Sequence, residues 1–147
     1  MTIARINEGD LPLLREFIAS AGNSLQTFRY FAKRDFAVIK NHVVTLIGTT
    51  NGRPVAYGHL DRDGNDVWLG ICIGEAARGQ GLGKIMMARL LDIALDCNIS
   101  ELRLSVDENN VSARALYEKF GFALESINDT HAFYRWKEGE VMGRQPS

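Results

Sequence analysis

Apolar and polar positions alternate briefly in TIARI at the start of the chain, enough for a strand, and then change period. Asp10 precedes LPLLREFIAS, which reads as a helix with an acidic N-cap, a proline in its first turn, and Leu11, Leu14 and Ile18 on one face. Gly22 and Asn23 stop it. The mixed aromatic and basic segment SLQTFRYFAKRDFAVIKN reads as a second short helical stretch between loops. HVVTLIGTT and VAYGHLD, rich in β-branched and aromatic residues, flank the turn NGRP, and DGND leads on to VWLGICI. The centre of the chain is therefore an antiparallel meander. Beyond RGQGLGK the period rises to about 3.6, with Leu82, Met86, Leu90 and Ile93 on one side and Lys84, Arg89, Asp92 and Asp96 on another. ELRLSV reads as a strand, NVSARALYEKFG as a helix ended by Gly121, and HAFYRW as a closing strand. The order β, α, α, three strands, α, β, α, β, β predicts an α/β fold in which helices cover both faces of one mixed sheet. No repeat or linker interrupts it, which predicts one domain over 1–138 and a flexible polar tail over 139–147.

A length of 147 residues suits a single domain with a real core. With 46% apolar residues and a net charge of -1, no basic stripe points to nucleic acid. MTIARINEGD lacks the apolar stretch of a signal peptide, and no run approaches the roughly 18 apolar residues of a membrane span, so a cytoplasmic protein is expected. Cys72 and Cys97 have no CxxC spacing, and Cys72 reads as a core residue rather than a nucleophile. His42, His59 and His131 show no ligand spacing, and no bound metal is expected.

Three glycines and two cations stand between an apolar run and a helix in Arg78, Gly79, Gln80, Gly81, Leu82, Gly83 and Lys84. A strand running into such a turn and then a helix aims free N–H groups at an anion, so the stretch reads as a pyrophosphate cradle or, alternatively, as a plain connection. The spacing fits neither a P-loop nor a dinucleotide fingerprint.

A second motif narrows the reading. Arg78, Gly81 and Gly83 in RxxGxG, together with Val106, Asn110, Ala113, Tyr117, Gly121 and Phe122 in V-x3-N-x2-A-x3-Y-x3-GF, resemble the two signature motifs of the GNAT superfamily of acyl-CoA-dependent N-acyltransferases. The likeness spans nearly the whole chain and implies that family's fold, a mostly antiparallel mixed central sheet with helices on both faces. It implies acetyl-CoA as acyl donor, with Arg78 through Lys84 on the pyrophosphate, Ile71, Cys72 and Ile73 along the pantetheine arm, and Asn110 hydrogen-bonded to that arm. It also implies that Tyr117 protonates the departing thiolate while a neutral amine attacks the thioester directly. A phenol suits that task, since a thiolate leaving group has a pKa near about 8.5.

The sequence departs from the family where many members carry a glutamate on the fourth strand, because VWLGICI holds no acid and the next is Glu75. His59 and Asp61, two apart and so on one strand face, are the substitutes: His59 reads as the base or, alternatively, as a sheet residue satisfied by a backbone hydrogen bond, and Asp61 suits capping the following turn or orienting His59 better than acting as the base. The resemblance places the acceptor between the first two helices, where Phe28, Arg29, Tyr30, Phe31, Lys33 and Arg34 gather rings and cations. Those groups suit a small amine such as a nucleotide-linked amino sugar, or else are core rings and solvated cations. An N-terminal peptide acetyltransferase and a non-catalytic acyl-CoA-binding module are the alternatives. A monomer or a homodimer joined along HAFYRW is expected.

Overall fold

The computed structural model describes residues 1–139. Seven strands, β1 (Thr2–Arg5), β2 (His42–Thr50), β3 (Arg53–Asp63), β4 (Asp66–Ile73), β5 (Glu101–Asp107), β6 (Ala123–Ile127) and β7 (His131–Lys137), form one sheet in the order β1-β2-β3-β4-β5-β7-β6. Only β4 and β5 run parallel. Three α-helices accompany them, α1 (Leu11–Ser20), α2 (Leu82–Asp96) and α3 (Val111–Lys119). Of the tail expected over 139–147, residues 140–147 lie outside the described residues.

Turn chemistry closes the meander. Asn51 and Gly52 both take left-handed φ, 53° and 77°, as a two-residue hairpin loop between right-twisted strands demands. Between β3 and β4 Gly64 alone takes a left-handed φ, 61°. Alternation along the strands then sorts the core into two layers. Leu14 and Phe17 of α1 pack with Ile39, Ile47, Tyr57 and Cys72 on one face. Met86 and Leu90 of α2 pack with Leu46, Leu60, Leu104 and Trp136 on the other. Gly58 lets α2 sit close, since a Cβ there would stand 2.8 Å from Met86 Sδ.

Four expectations shift in detail. Asp10 holds the position before α1, but its carboxylate accepts from Asn7 N at 3.0 Å and makes no cap bond to the helix. The inward face of α1 is Leu14 and Phe17, with Leu11 and Ile18 half-buried. The second α-helix is absent: two 3-10 turns, Gly22–Gln26 and Phe36–Asn41, bracket an irregular segment. Phe28, Tyr30, Phe31 and Phe36 do not share a helical spacing, yet their rings close on one another and on Tyr57, and that cluster dictates the path of the chain. Finally, HAFYRW is β7, an inner strand between β5 and β6, and the sheet edge on that side is the exposed β6.

Pairing between β4 and β5 is confined to Trp68 with Arg103. Past that point the two strands part, and the opening between them positions everything described next.

Candidate active site

After β4, a 3-10 turn at Glu75–Ala77 hands the chain to the glycine stretch. Gly79 and Gly81 take φ of 79° and 76°, and a Cβ on either would meet nothing within 4 Å, so the turn is left-handed and faces open space. Gly81 begins α2 without any side-chain cap, leaving the first-turn N–H groups as donors. Gly83 serves packing instead, since its missing Cβ would lie 3.2 Å from Leu116 of α3. The Lys119 amine is held below its ordinary value by the adjacent Lys84, two ammonium groups crowded near that helix start. Free backbone donors, paired cations and an open concavity fit a diphosphate group.

These residues belong to a cavity of about 670 Å³ that runs along the opening between β4 and β5. Every residue expected to hold the acyl donor lines it except Gln80, which is exposed. Arg78 lines it too, but its guanidinium donates to Ser24 Oγ at 2.7 and 3.0 Å and to Asn23 Oδ1. Buried Ser24 in turn donates to the Ile73 carbonyl at 2.6 Å, so Arg78 chiefly fastens the first 3-10 turn to the end of β4. Glu75 does the same from the other side, accepting from Asn23 N at 2.6 Å. Asn110 caps α3, its Oδ1 accepting from Ala113 N at 3.3 Å, while it lines the cavity.

Buried Tyr117 lines this cavity, its ring packed near Phe122 and Tyr134. Burial first, and then neighbouring Cys72, pushes its hydroxyl up to about 12, so it is a protonated donor at neutral pH. Burial likewise pushes the Cys72 thiol up to about 12, with Arg78 opposing, and a thiol so protonated is a poor nucleophile.

A second cavity, of about 730 Å³, adjoins the first, and the two share Thr27, Phe28, Ile71, Asp107, Asn110 and Tyr117. His59, Asp61, Phe28, Arg29 and Tyr30, all expected at the acceptor site, line it. His59 is 3% exposed, and its Nδ1 lies 2.6 Å from Tyr57 Oη. Burial, followed by His42 and Arg34, drives its pKa well below the ordinary histidine range. Its ring lies over Gly70, where a Cβ would meet Nε2 at 2.6 Å. Among the described residues Asp61 makes no hydrogen bond to the turn or to His59; its Oδ2 accepts from Tyr30 Oη at 2.8 Å. Arg29 donates to Asp107 at 3.0 Å, and Arg34 lies 4.2 Å from the Tyr30 ring centroid.

His42 is the residue that sequence reasoning missed. Its Nε2 lies 2.7 Å from Tyr30 Oη and its Nδ1 2.8 Å from Thr45 Oγ1. The signal was the hairpin register, which sets His42 opposite Asp61. Among the described residues, no three histidine, cysteine or carboxylate side chains group to hold a metal ion, and no helix is long and apolar enough to cross a membrane.

The model of the acetyltransferase (GNAT) family matches residues 11–122. The chain belongs to this family. As a GNAT acetyltransferase it is an acyl-CoA-dependent N-acetyltransferase with acetyl-CoA as cosubstrate. Solved structures agree on the fold at low identity. An acetyltransferase from Salmonella typhimurium, determined with its cofactor acetyl-CoA, matches at 17% identity and a TM-score of 0.76, covering 100% of this chain and 99% of that one. The PaiA N-acetyltransferase from Thermoplasma acidophilum, determined in complex with coenzyme A, matches at 16% identity and a TM-score of 0.71, covering 93% and 99%. The ribosomal-protein-S18-alanine N-acetyltransferase from Escherichia coli matches at 18% identity and a TM-score of 0.71, covering 99% and 97%. No curated protein sequence matches the chain.

Proposed function

We propose that this acetyltransferase moves the acetyl group of acetyl-CoA to a primary amine of a small molecule by direct attack, with Tyr117 as general acid. The observation that carries the reading is the meeting of two cavities at Ile71, Asn110 and Tyr117. The donor lies along the opening between β4 and β5, its diphosphate against the start of α2, and the thioester reaches the shared wall. The amine enters from the second cavity, so the nucleophile and the thioester carbon are brought together without a covalent enzyme intermediate. Backbone N–H groups of β4 left unpaired by the departure of β5 supply the oxyanion donors. Tyr117 gives its proton to the sulfur as the C–S bond breaks, which spares the cost of releasing a free thiolate into a dry site.

Phe28, Tyr30, Trp68 and Phe133 give the second cavity apolar faces, with Arg29 and Arg34 beside them. Rings for a sugar or base and guanidinium groups for phosphate support a nucleotide-linked amino sugar as the acceptor. Free thiol release from acetyl-CoA, measured against separate pools of amino sugars with their nucleotide-linked forms, of peptides with free N-termini, and of polyamines with amino acids, tests this. Release with the amino-sugar pool is expected. Release with peptides alone, or silence with every pool while acetyl-CoA still binds, contradicts it.

A further inference from the structure

A hydrogen-bonded string reaches the second cavity through two residues of its wall, Tyr30 and Asp61, and its direction is fixed by what each member can do. A carboxylate only accepts, so across the 2.8 Å contact Tyr30 Oη must donate to Asp61 Oδ2. That uses the phenol's one proton, and across the 2.7 Å contact His42 Nε2 must donate to Tyr30 Oη. Burial lowers the His42 pKa, the imidazole is neutral and has one N–H, and Nδ1 is therefore the acceptor of the buried Thr45 hydroxyl at 2.8 Å. The string runs Thr45 to His42 to Tyr30 to Asp61 and ends on a carboxylate whose second oxygen makes no hydrogen bond among the described residues.

His59 fails the same examination as a base. Burial keeps Tyr57 Oη protonated, and its one hydrogen-bond partner among the described residues is His59 Nδ1. The phenol donates there, so the neutral imidazole carries its own proton on Nε2 and presents a donor rather than a lone pair.

We propose that Asp61 receives the proton of the acceptor amine, and that Tyr30 and His42 are positioning residues that hold one carboxylate oxygen so that the other serves the cavity. This rests on the reading of the second cavity as the amine site. The balance is simple. An N–H bond of the ammonium breaks and an O–H bond forms on Asp61. The freed lone pair makes the C–N bond as the C–S bond breaks, sulfur takes the Tyr117 proton, and the second proton lost by nitrogen replaces it. Asp61 returns its proton to solvent, giving amide, free thiol and one proton released.

Amines of different basicity separate a proton acceptor from a structural residue, because a weakly basic amine is already neutral. The full chain is assayed for acetyl transfer from acetyl-CoA to ethylamine and to 2,2,2-trifluoroethylamine. For Asp61→Asn the ratio of kcat/KM for ethylamine to that for trifluoroethylamine is expected to fall about 100-fold, the lower end of general-base contributions. His42→Ala is expected to lower the same ratio about tenfold, and His42→Gln, whose amide still donates to Tyr30, to restore most of it. Equal losses with both amines for Asp61→Asn, or a fall of the ratio in His59→Gln instead, overturns the proposal. Transfer by the unaltered protein to neither amine and to no member of the three acceptor pools, with acetyl-CoA bound, overturns the amine-site reading and the proposal with it.

Discussion

Tyr117→Phe is expected to lower kcat about 100-fold, equivalent to about 2.7 kcal/mol in the barrier, while acetyl-CoA affinity stays within about twofold. The substitution removes one oxygen and keeps the ring, so the packing near Phe122 and Tyr134 survives and the helix holds its place. In the proposed mechanism, what is lost is the proton for the leaving sulfur. The phenol suits this because burial holds it up at about 12, above the value of a free thiol, so it remains protonated throughout the pH range where amines attack. As pH rises from 7 to about 10, the rate should therefore gain from amine deprotonation and show no falling limb from Tyr117. Turnover from thiol release, paired with calorimetric titration of acetyl-CoA, checks both halves. Unchanged turnover removes Tyr117 from the chemistry.

The second large effect concerns Gly81, and the fold supplies its own control in Gly52. Both have strongly positive φ, 76° and 77°, and a Cβ on either would meet nothing within 4 Å. A valine at either position adopts a strained backbone, costing about 1–3 kcal/mol. Only at Gly81 is the open space a cavity at a helix start; Gly52 lies in the β2–β3 turn. Gly81→Val is thus expected to weaken acetyl-CoA binding at least about 100-fold, through lost approach of the backbone donors to diphosphate. Gly52→Val should lower the melting temperature by a similar amount and leave acetyl-CoA binding alone. Equal affinities in the two variants would show that the glycine turn is only a connection.

Much of this was legible in the chain, for reasons that differ by element. The meander could be read because Asn51–Gly52 and Gly64 demand left-handed turns and the strands beside them alternate. α2 and α3 could be read from a 3.6-residue period and from stops that geometry enforces, such as Gly121 at φ 93°. The glycine turn and Tyr117, which line one cavity, stood out because both motifs are local in sequence. The 27–35 segment could not be read, since its course depends on rings meeting Tyr57 of β3, a residue distant in sequence. Charge and the motif give Arg78 to an anion, yet its guanidinium also donates to Ser24, a partner 54 residues away. His42 escaped notice because its meaning lies in a register, opposite Asp61, and in Tyr30 reaching over from a loop. Spacing along one strand makes His59 and Asp61 a pair, and both line the second cavity, but hydrogen bonding gives His59 to Tyr57 and Asp61 to Tyr30.

Direct transfer at the junction of the two cavities is the claim on which the rest depends, and a rapid-mixing measurement of thiol release tests it most directly. Acetyl-CoA mixed with enzyme alone should release no stoichiometric thiol, because the Cys72 thiol is held protonated and the chemistry waits for an amine. Adding an amine acceptor should start release in proportion to amide formed. A burst equal to the enzyme concentration without amine, with the acetyl group found on the protein, would contradict the account.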